Sequence, residues 1–219
     1  MSAPSSAPIL DDLEASAEGI YSRQLYLHLN LLGVNSRPID AVFSHLGKAY
    51  GLMEAIIDTP MRMGIKLTPK SRVSNADRFG ARVPKNRKPP LSETTRGLIL
   101  PQEYLAKHGV VQEEVMRSGG QAKGFKDAVF DTATRANDYL ITVRREIREN
   151  LPRGRVADSS GREPGARPAL VGLATIPHML ARLERYDFDP FEPAFRIEAR
   201  GHGWRLPLKM WGIGWTGKI

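Results

Sequence analysis

Phe125–Asn150 reads FKDAVFDTATRANDYLITVRREIREN, and one row of apolar side chains runs its whole length. Phe125, Val129, Ala133, Ala136, Leu140, Val143 and Ile147 follow one another at steps of four or three. That spacing keeps them on one side of a helix with 3.6 residues per turn. Charged and hydroxyl side chains fill the other positions, as on a helix with one wet face. Pro152 cannot continue the ladder and ends the run. A helix this long with a single apolar stripe must bury it against other helices, so the stretch predicts a helical bundle.

Working outward, the segment from Pro38 to about Ile57 predicts the central helix of that bundle. Val42, Leu46, Ala49, Met53 and Ile56 make one stripe, and Phe43, Tyr50 and Ile57 a second. A helix apolar on more than one side is surrounded by neighbours. Gly47 and Gly51 stand four apart on it, where small residues admit a neighbouring backbone. Pro38 suits the first turn. Before it, Asp11 to about Leu32 predicts a helix whose stripe is Leu10, Leu13, Ala17, Ile20, Leu27 and Leu31, with Gly33 as its stop and Gly19 as a possible packing point. Two short helices are expected at Leu100–His108, opened by Pro101 and closed by Gly109, and at Val111–Arg117. Ala169–Tyr186 predicts a further helix, with Pro177 as a kink or as the start of a second short one.

Two stretches break the pattern. Residues 60–97 hold five prolines and ten basic residues, among them Arg62, Arg78, Arg82, Lys85, Arg87 and Lys88, against only Asp77 and Glu93. No periodicity survives there, and it reads as a long basic loop. From Asp187 onward the chain is irregular and glycine-rich, and it carries Trp204, Trp211 and Trp215. The expected organisation is a flexible 1–8, a helical domain over 9–193 with the basic loop at 60–97 inserted, and an interaction tail at 194–219. The fold class is therefore all-α: a helical bundle with a long basic loop and an irregular Trp-rich C-terminal tail.

Composition narrows the function. The 219 residues contain no cysteine, which removes disulfides, thiolate metal sites and cysteine nucleophiles together. No apolar run reaches the ~20 residues of a membrane-spanning helix. The net charge of +8 suits anionic lipid, an acidic protein or nucleic acid. The basic loop has a single aromatic, Phe79, so stacking on RNA bases is poorly supplied and RNA is the weaker partner. Met1–Pro8 lacks the arginines of a transit peptide, so targeting is expected to be internal or carried elsewhere. His28, His45, His108, His178 and His202 show no metal-site spacing, and His45 reads as a hydrogen-bonded core or boundary histidine. Gly119–Gly124 lacks the ending of a phosphate loop and reads as a turn. No G-x-S-x-G elbow supports nucleophilic hydrolysis.

Four segments carry a resemblance. They are Leu25–Val34 (LYLHLNLLGV), His45–Leu52 (HLGKAYGL), Leu100–Val110 (LPQEYLAKHGV), and Phe130–Ala133 (FDTA) followed by Ala136, Tyr139 and Leu140. In that order and rough spacing the chain resembles the second half of the squalene/phytoene synthase family, over roughly residues 12–193. Thr59-Pro60 and the segment Asp187–Pro193 (DFDPFEP) resemble the mitochondrial complex I assembly factor branch of that family. The resemblance implies a partial isoprenoid-synthase-like bundle. It makes His45, Lys48, Tyr50, Asp58 and Arg62 remnants of the synthase pocket. It implies complex I subunits as partners, cardiolipin as a possible lipid, and the matrix side of the mitochondrial inner membrane as the location. The basic residues Arg78, Arg82, Lys85, Arg87 and Lys88 and the three tryptophans would then be attachment surfaces.

The resemblance also marks what is lost. Synthases place carboxylates at three positions of one segment that here reads Asp58, Met61 and Arg62. Mg²⁺ needs clustered carboxylate oxygens to neutralise a departing diphosphate. Arg62, one turn beyond Asp58, sets a cation where such an ion would sit, and like charges ~4 Å apart repel by about 4 kcal/mol at an effective dielectric of ~20. No catalytic residue, metal or cofactor is therefore expected, and the chain reads as a non-catalytic subunit or assembly factor. A prenyl-diphosphate transferase completed by a second chain, and a mitochondrial ribosomal protein, are the alternatives.

Overall fold

The computed structural model describes residues 7–31, 33, 37–63, 97–150 and 175–195. The basic residues Arg78, Arg82, Lys85, Arg87 and Lys88 and the tryptophans Trp204, Trp211 and Trp215 lie outside the described residues. Within them every regular element is helical, and none is a strand. The α-helices are α1 (Leu10–Ala17), α2 (Arg23–Leu31), α3 (Arg37–Arg62), α4 (Gln102–Lys107), α5 (Gln112–Ser118), α6 (Phe125–Asn150) and α7 (Thr175–Arg185). A π-helical turn, Glu18–Ser22, joins α1 to α2 without a break.

The long helices α3 and α6 form the heart of the bundle, with α1, the π turn and α2 laid on α3 and the short helices gathered at the start of α6. All seven residues of the α6 stripe are buried, as are Val42, Phe43, Leu46, Ala49, Met53 and Ile56 of α3. The predicted bounds of α6 hold to the residue. Helix α3 runs five residues further than the sequence suggests, through Pro60. That proline lies in the last turn, where it removes one i→i−4 hydrogen bond, and the Thr59 hydroxyl donates to the Ala55 carbonyl at 2.7 Å. Burial of Thr59, Pro60 and Met63 keeps the turn wound.

The N-terminal stripe requires a correction. Ile20, Leu27 and Leu31 are exposed, at 52%, 63% and 84%. The inward residues are Glu14, Ala17, Ser22 and Leu29 instead. From Ala17 to Ser22 is five residues, one more than an α-turn supplies. The extra residue of the π turn rotates everything after it by about 100° relative to an unbroken helix. Gly19 sits in this turn with open space beside it and makes no close approach.

Close approach occurs on the partner helix. A methyl on Gly47 would fall 2.0 Å from Ser22 Oγ and 2.6 Å from the Ser22 backbone nitrogen, and one on Gly51 would fall 2.1 Å from Ala17 Cβ. The two glycines therefore form the seat on which the π turn rests. At the other end, Asp189 lies against Gly120, and Phe191 packs on Gly119 and, 5.4 Å between centroids, on Phe125. The Gly119–Gln121 turn is a helix-to-helix connection, as its sequence predicts, and the Asp187–Pro193 segment packs on it. Pro177 opens α7 in its first turn rather than kinking a longer helix within the described residues.

Candidate functional site

The bundle gathers its polar side chains between α1, the π turn, α3 and α6. Glu14 is the centre, buried to 8% exposure. Arg135 of α6 donates to it through Nε at 2.8 Å, and the Tyr139 hydroxyl donates at 2.5 Å. Arg135 Nη2 also donates to the Tyr139 hydroxyl at 3.0 Å, and its guanidinium lies 4.8 Å from the centre of the same ring. Arg135 and Tyr139 are four apart on one helix, so a single face delivers both to one carboxylate.

The Tyr139 ring also stacks on His45, with centroids 5.6 Å apart. His45 Nε2 in turn approaches Glu146 Oε1 at 3.5 Å. Two turns of α3 and the π turn complete the cluster. Ser44 Oγ donates to Glu18 Oε1 at 2.7 Å, and Lys48 Nζ stands 3.3 Å from Glu18 Oε2.

The electrostatics follow from these partners. The hydrogen bond to Glu14 is the main reason that Arg135 holds its proton more tightly than a free guanidinium, and burial only partly offsets it. Burial first, and then its bond to Glu14, push the Tyr139 phenol well above its ordinary range. The Ser44 hydroxyl and, after burial's opposing effect, Lys48 hold the Glu18 carboxyl below its usual value. The Tyr50 phenol is pushed up by its burial, against its hydrogen bond with Thr175. Each carboxylate here is engaged by a basic or hydroxyl group. Among the described residues no three His, Cys, Asp or Glu side chains gather into an arrangement that could hold a metal ion.

The five remnant residues expected from the resemblance fall into two groups, Tyr50, Asp58 and Arg62 around Tyr21, and His45 and Lys48 around Glu18. His45 turns to α6, and Lys48 turns to the π turn. Tyr50 bonds Thr175 on α7 and stacks against Tyr21, centroids 6.5 Å apart. Asp58 and Arg62 lie at the end of α3, close enough to bear electrostatically on the Tyr21 hydroxyl together with Glu54. The polar residues that gather around Tyr139 and His45 were not singled out by the sequence: Glu14, Glu18, Arg135 and Glu146. Tyr139 was noted only as part of the resemblance. The pair Arg135/Tyr139 at i, i+4 beside the α6 stripe is the signal that points to them.

A second, smaller cluster lies one turn before Arg135 on α6. Asp131 accepts from Lys107 Nζ at 2.7 Å and contacts His108 Nε2 at 2.8 Å. Burial would raise its pKa, but these two partners outweigh burial and hold it below the ordinary carboxylate value. No helix among the described residues is long and apolar enough to cross a membrane.

Comparison with known proteins gives two findings. Residues 89–212 match the family model for squalene/phytoene synthase. The chain is also similar to curated relatives named NADH dehydrogenase (ubiquinone) complex I, assembly factor 6. It is 27% identical to the Homo sapiens protein over 206 residues, which is 94% of this chain and 48% of the relative. It is 26% identical to the Rattus norvegicus protein over 204 residues, 93% of this chain and 47% of the relative. A Drosophila melanogaster homolog is 27% identical over 177 residues, 81% of this chain and 40% of the relative. The chain thus spans about half the length of the curated relatives it matches. No solved structure matches it significantly.

Proposed function

The chain belongs to the squalene/phytoene synthase family, and from that premise we propose that it is a non-catalytic member acting as a scaffold in the assembly of respiratory complex I. The observation that carries this reading is the paired polar centre of the bundle. Glu14 is bonded by Arg135 and Tyr139, Tyr139 stacks on His45, and His45 approaches Glu146, across α1, α3 and α6. Such a centre fixes how three helices sit together, and it offers no cluster of free carboxylates for a metal–diphosphate complex. Asp58 has Arg62 one turn away, the wrong charge beside it for that task. The names of the curated relatives supply the process.

In this reading the protein works in mitochondria, on the matrix side of the inner membrane. Its basic segment, through Arg78, Arg82, Lys85, Arg87 and Lys88, meets an acidic protein surface or the cardiolipin head groups of that membrane. It acts as an assembly factor or remains as a supernumerary subunit. Native electrophoresis of mitochondria separates these: migration with sub-assemblies only identifies the factor, and migration with mature complex I identifies the subunit. Association with neither refutes the proposal. Incubating the purified protein with Mg²⁺ and labelled prenyl diphosphates is expected to give no turnover. Turnover that disappears in Asp58→Asn would overturn the non-catalytic reading.

A further inference from the structure

A cleft of about 340 Å³ opens between α6 and α7. Two contacts fix the direction of its walls. Lys126 Nζ donates to Asp187 Oδ2 at 2.7 Å, and Phe130 stands edge-on to Phe188, 4.9 Å between centroids. The end of α7 therefore lies beside the start of α6, and the two walls run in opposite directions. Along α6 the open stripe reads Phe130, Thr134, Asn137, Ile141, Arg144 and Arg148, at helical steps of four and three. Phe130 and Ile141 on this stripe are half exposed, at 49% and 53%, and the cleft beside them includes the small side chains of Ala133 and Ala181.

The charges on this face are sorted by sign. Among the described residues, Arg144 and Glu184 are the two charged residues that line the cleft. Glu184 stands one turn before Phe188, at the aromatic end, where Asp187 and Glu192 also bear on Lys126. Arg144, Arg145 and Arg148 gather at the other end, with Arg144 about 21 Å from Phe130 along the helix. Among the described residues, neither these arginines nor Glu184 form an ion pair.

We propose that this face receives a second copy of the chain, in a two-fold dimer that sets α6 antiparallel to its counterpart. Asn137 lies seven residues from both Phe130 and Arg144, so an axis beside it lays the arginine end of each copy on the acidic, aromatic end of the other. The Asn137 amide both donates and accepts, and so pairs with its own copy. Ile141 of one copy falls over Ala133 in the cleft of the other, where the small side chains leave room. Arg144 falls over the facing Phe130 ring, a cation–π position, with Glu184 beside it. Arg148 points toward Asp187 and Glu192. An isologous contact requires a patch that complements itself. A face with charges of one sign would repel its own copy, whereas this one changes sign about its middle. That property favours a second copy over a foreign helix.

Sedimentation of the full chain over a range of concentrations is expected to show a monomer–dimer equilibrium. Arg144→Glu and Glu184→Arg each set like charges together at both symmetric contacts, and each should raise the dissociation constant about tenfold or more. Mixed in equal amounts, the two variants regain opposite charges at both contacts and should form a heterodimer close to the parental affinity. Within one copy these positions stand about 20 Å apart, so the recovery must come from across the interface. The absence of cysteine gives a second measurement on single, exposed or half-exposed positions. Asn137→Cys, next to the axis, should oxidise to a disulfide-linked dimer, and Ala15→Cys on α1 should not. A chain that stays monomeric at every concentration, charge variants that dimerise like the parent, a mixture no tighter than its components, or equal crosslinking at both cysteine positions would overturn the proposal.

Discussion

Replacing Gly47 by alanine tests whether the π turn and α3 are in contact at the backbone, as the fold requires. In an open helix position the change stabilises by about 1 kcal/mol, because alanine loses less backbone freedom. At Gly47 the new methyl would lie 2.0 Å from Ser22 Oγ, 2.6 Å from Ser22 N and 2.9 Å from Ser22 Cα. The hydroxyl can rotate away only by giving up its bond to the Ser44 carbonyl, now 3.2 Å, in a fully buried position, at about 1 kcal/mol. The backbone atoms cannot rotate away, so the π turn must lift from α3, an overpacking cost of about 1–3 kcal/mol. Set against the propensity gain, the net is a loss of about 1–3 kcal/mol. A central loss of about 2 kcal/mol corresponds to about 4–8 °C in Tm for a chain of this size. Gly19→Ala is the internal control. It lies in the π turn itself with nothing within 4 Å, and is expected to leave stability unchanged or raise it by up to ~1 kcal/mol. Urea denaturation of the two variants beside the parent protein gives both numbers. Equal or greater stability for Gly47→Ala would refute the close contact and, with it, the placement of the π turn.

Other expectations follow from the same contacts. Gly51→Ala should also destabilise, and adding Ala17→Gly should recover most of the loss, because it removes the Ala17 methyl that the new one would meet at 2.1 Å; non-additive midpoints in denaturant measure this. Tyr139→Phe removes a donor from buried Glu14 and should cost about 1.5–3 kcal/mol, the range for a hydrogen bond to a charged group. Arg135→Met should cost at least as much, and the double variant less than the sum of the two, as thermal or chemical melts will show. Asp131→Asn should destabilise at neutral pH. The depressed folded pKa of Asp131 means that its contribution is complete above the unfolded value near 3.9 and disappears as pH falls through the lower folded value. The difference in unfolding free energy between parent and variant should therefore shrink progressively as pH falls below about 4; a difference that does not change with pH would show that packing, not charge, is responsible.

How much of this was legible in the sequence depends on whether a residue's neighbours are local. Helix α6 was fully legible, because one periodic stripe bounded by Pro152 leaves no other reading. So were the inward stripe of α3 and the importance of Gly47 and Gly51, since small residues one turn apart on a helix apolar on two sides have few other uses. The exposed face of α2 was not legible, and the cause is a single residue. Periodicity arguments assume 3.6 residues per turn, and Leu10, Leu13, Ala17, Ile20, Leu27 and Leu31 fit that period as well as any stripe in the chain. The π turn is selected by what α3 presents. With Gly47 and Gly51 bare, the lowest-cost contact places Ala17 and Ser22 over them, five residues apart, and the helix widens to meet that spacing. The same non-local logic hid the polar centre. Glu14 is unremarkable beside Asp11 and Asp12 until Arg135 and Tyr139, more than a hundred residues away, converge on it. His45 illustrates the limit: its place on the central helix could be read from the sequence, whereas its stack on Tyr139 and its approach to Glu146 could not. The fold was therefore readable wherever one helix determines its own face, and unreadable wherever a second helix decides which face is used.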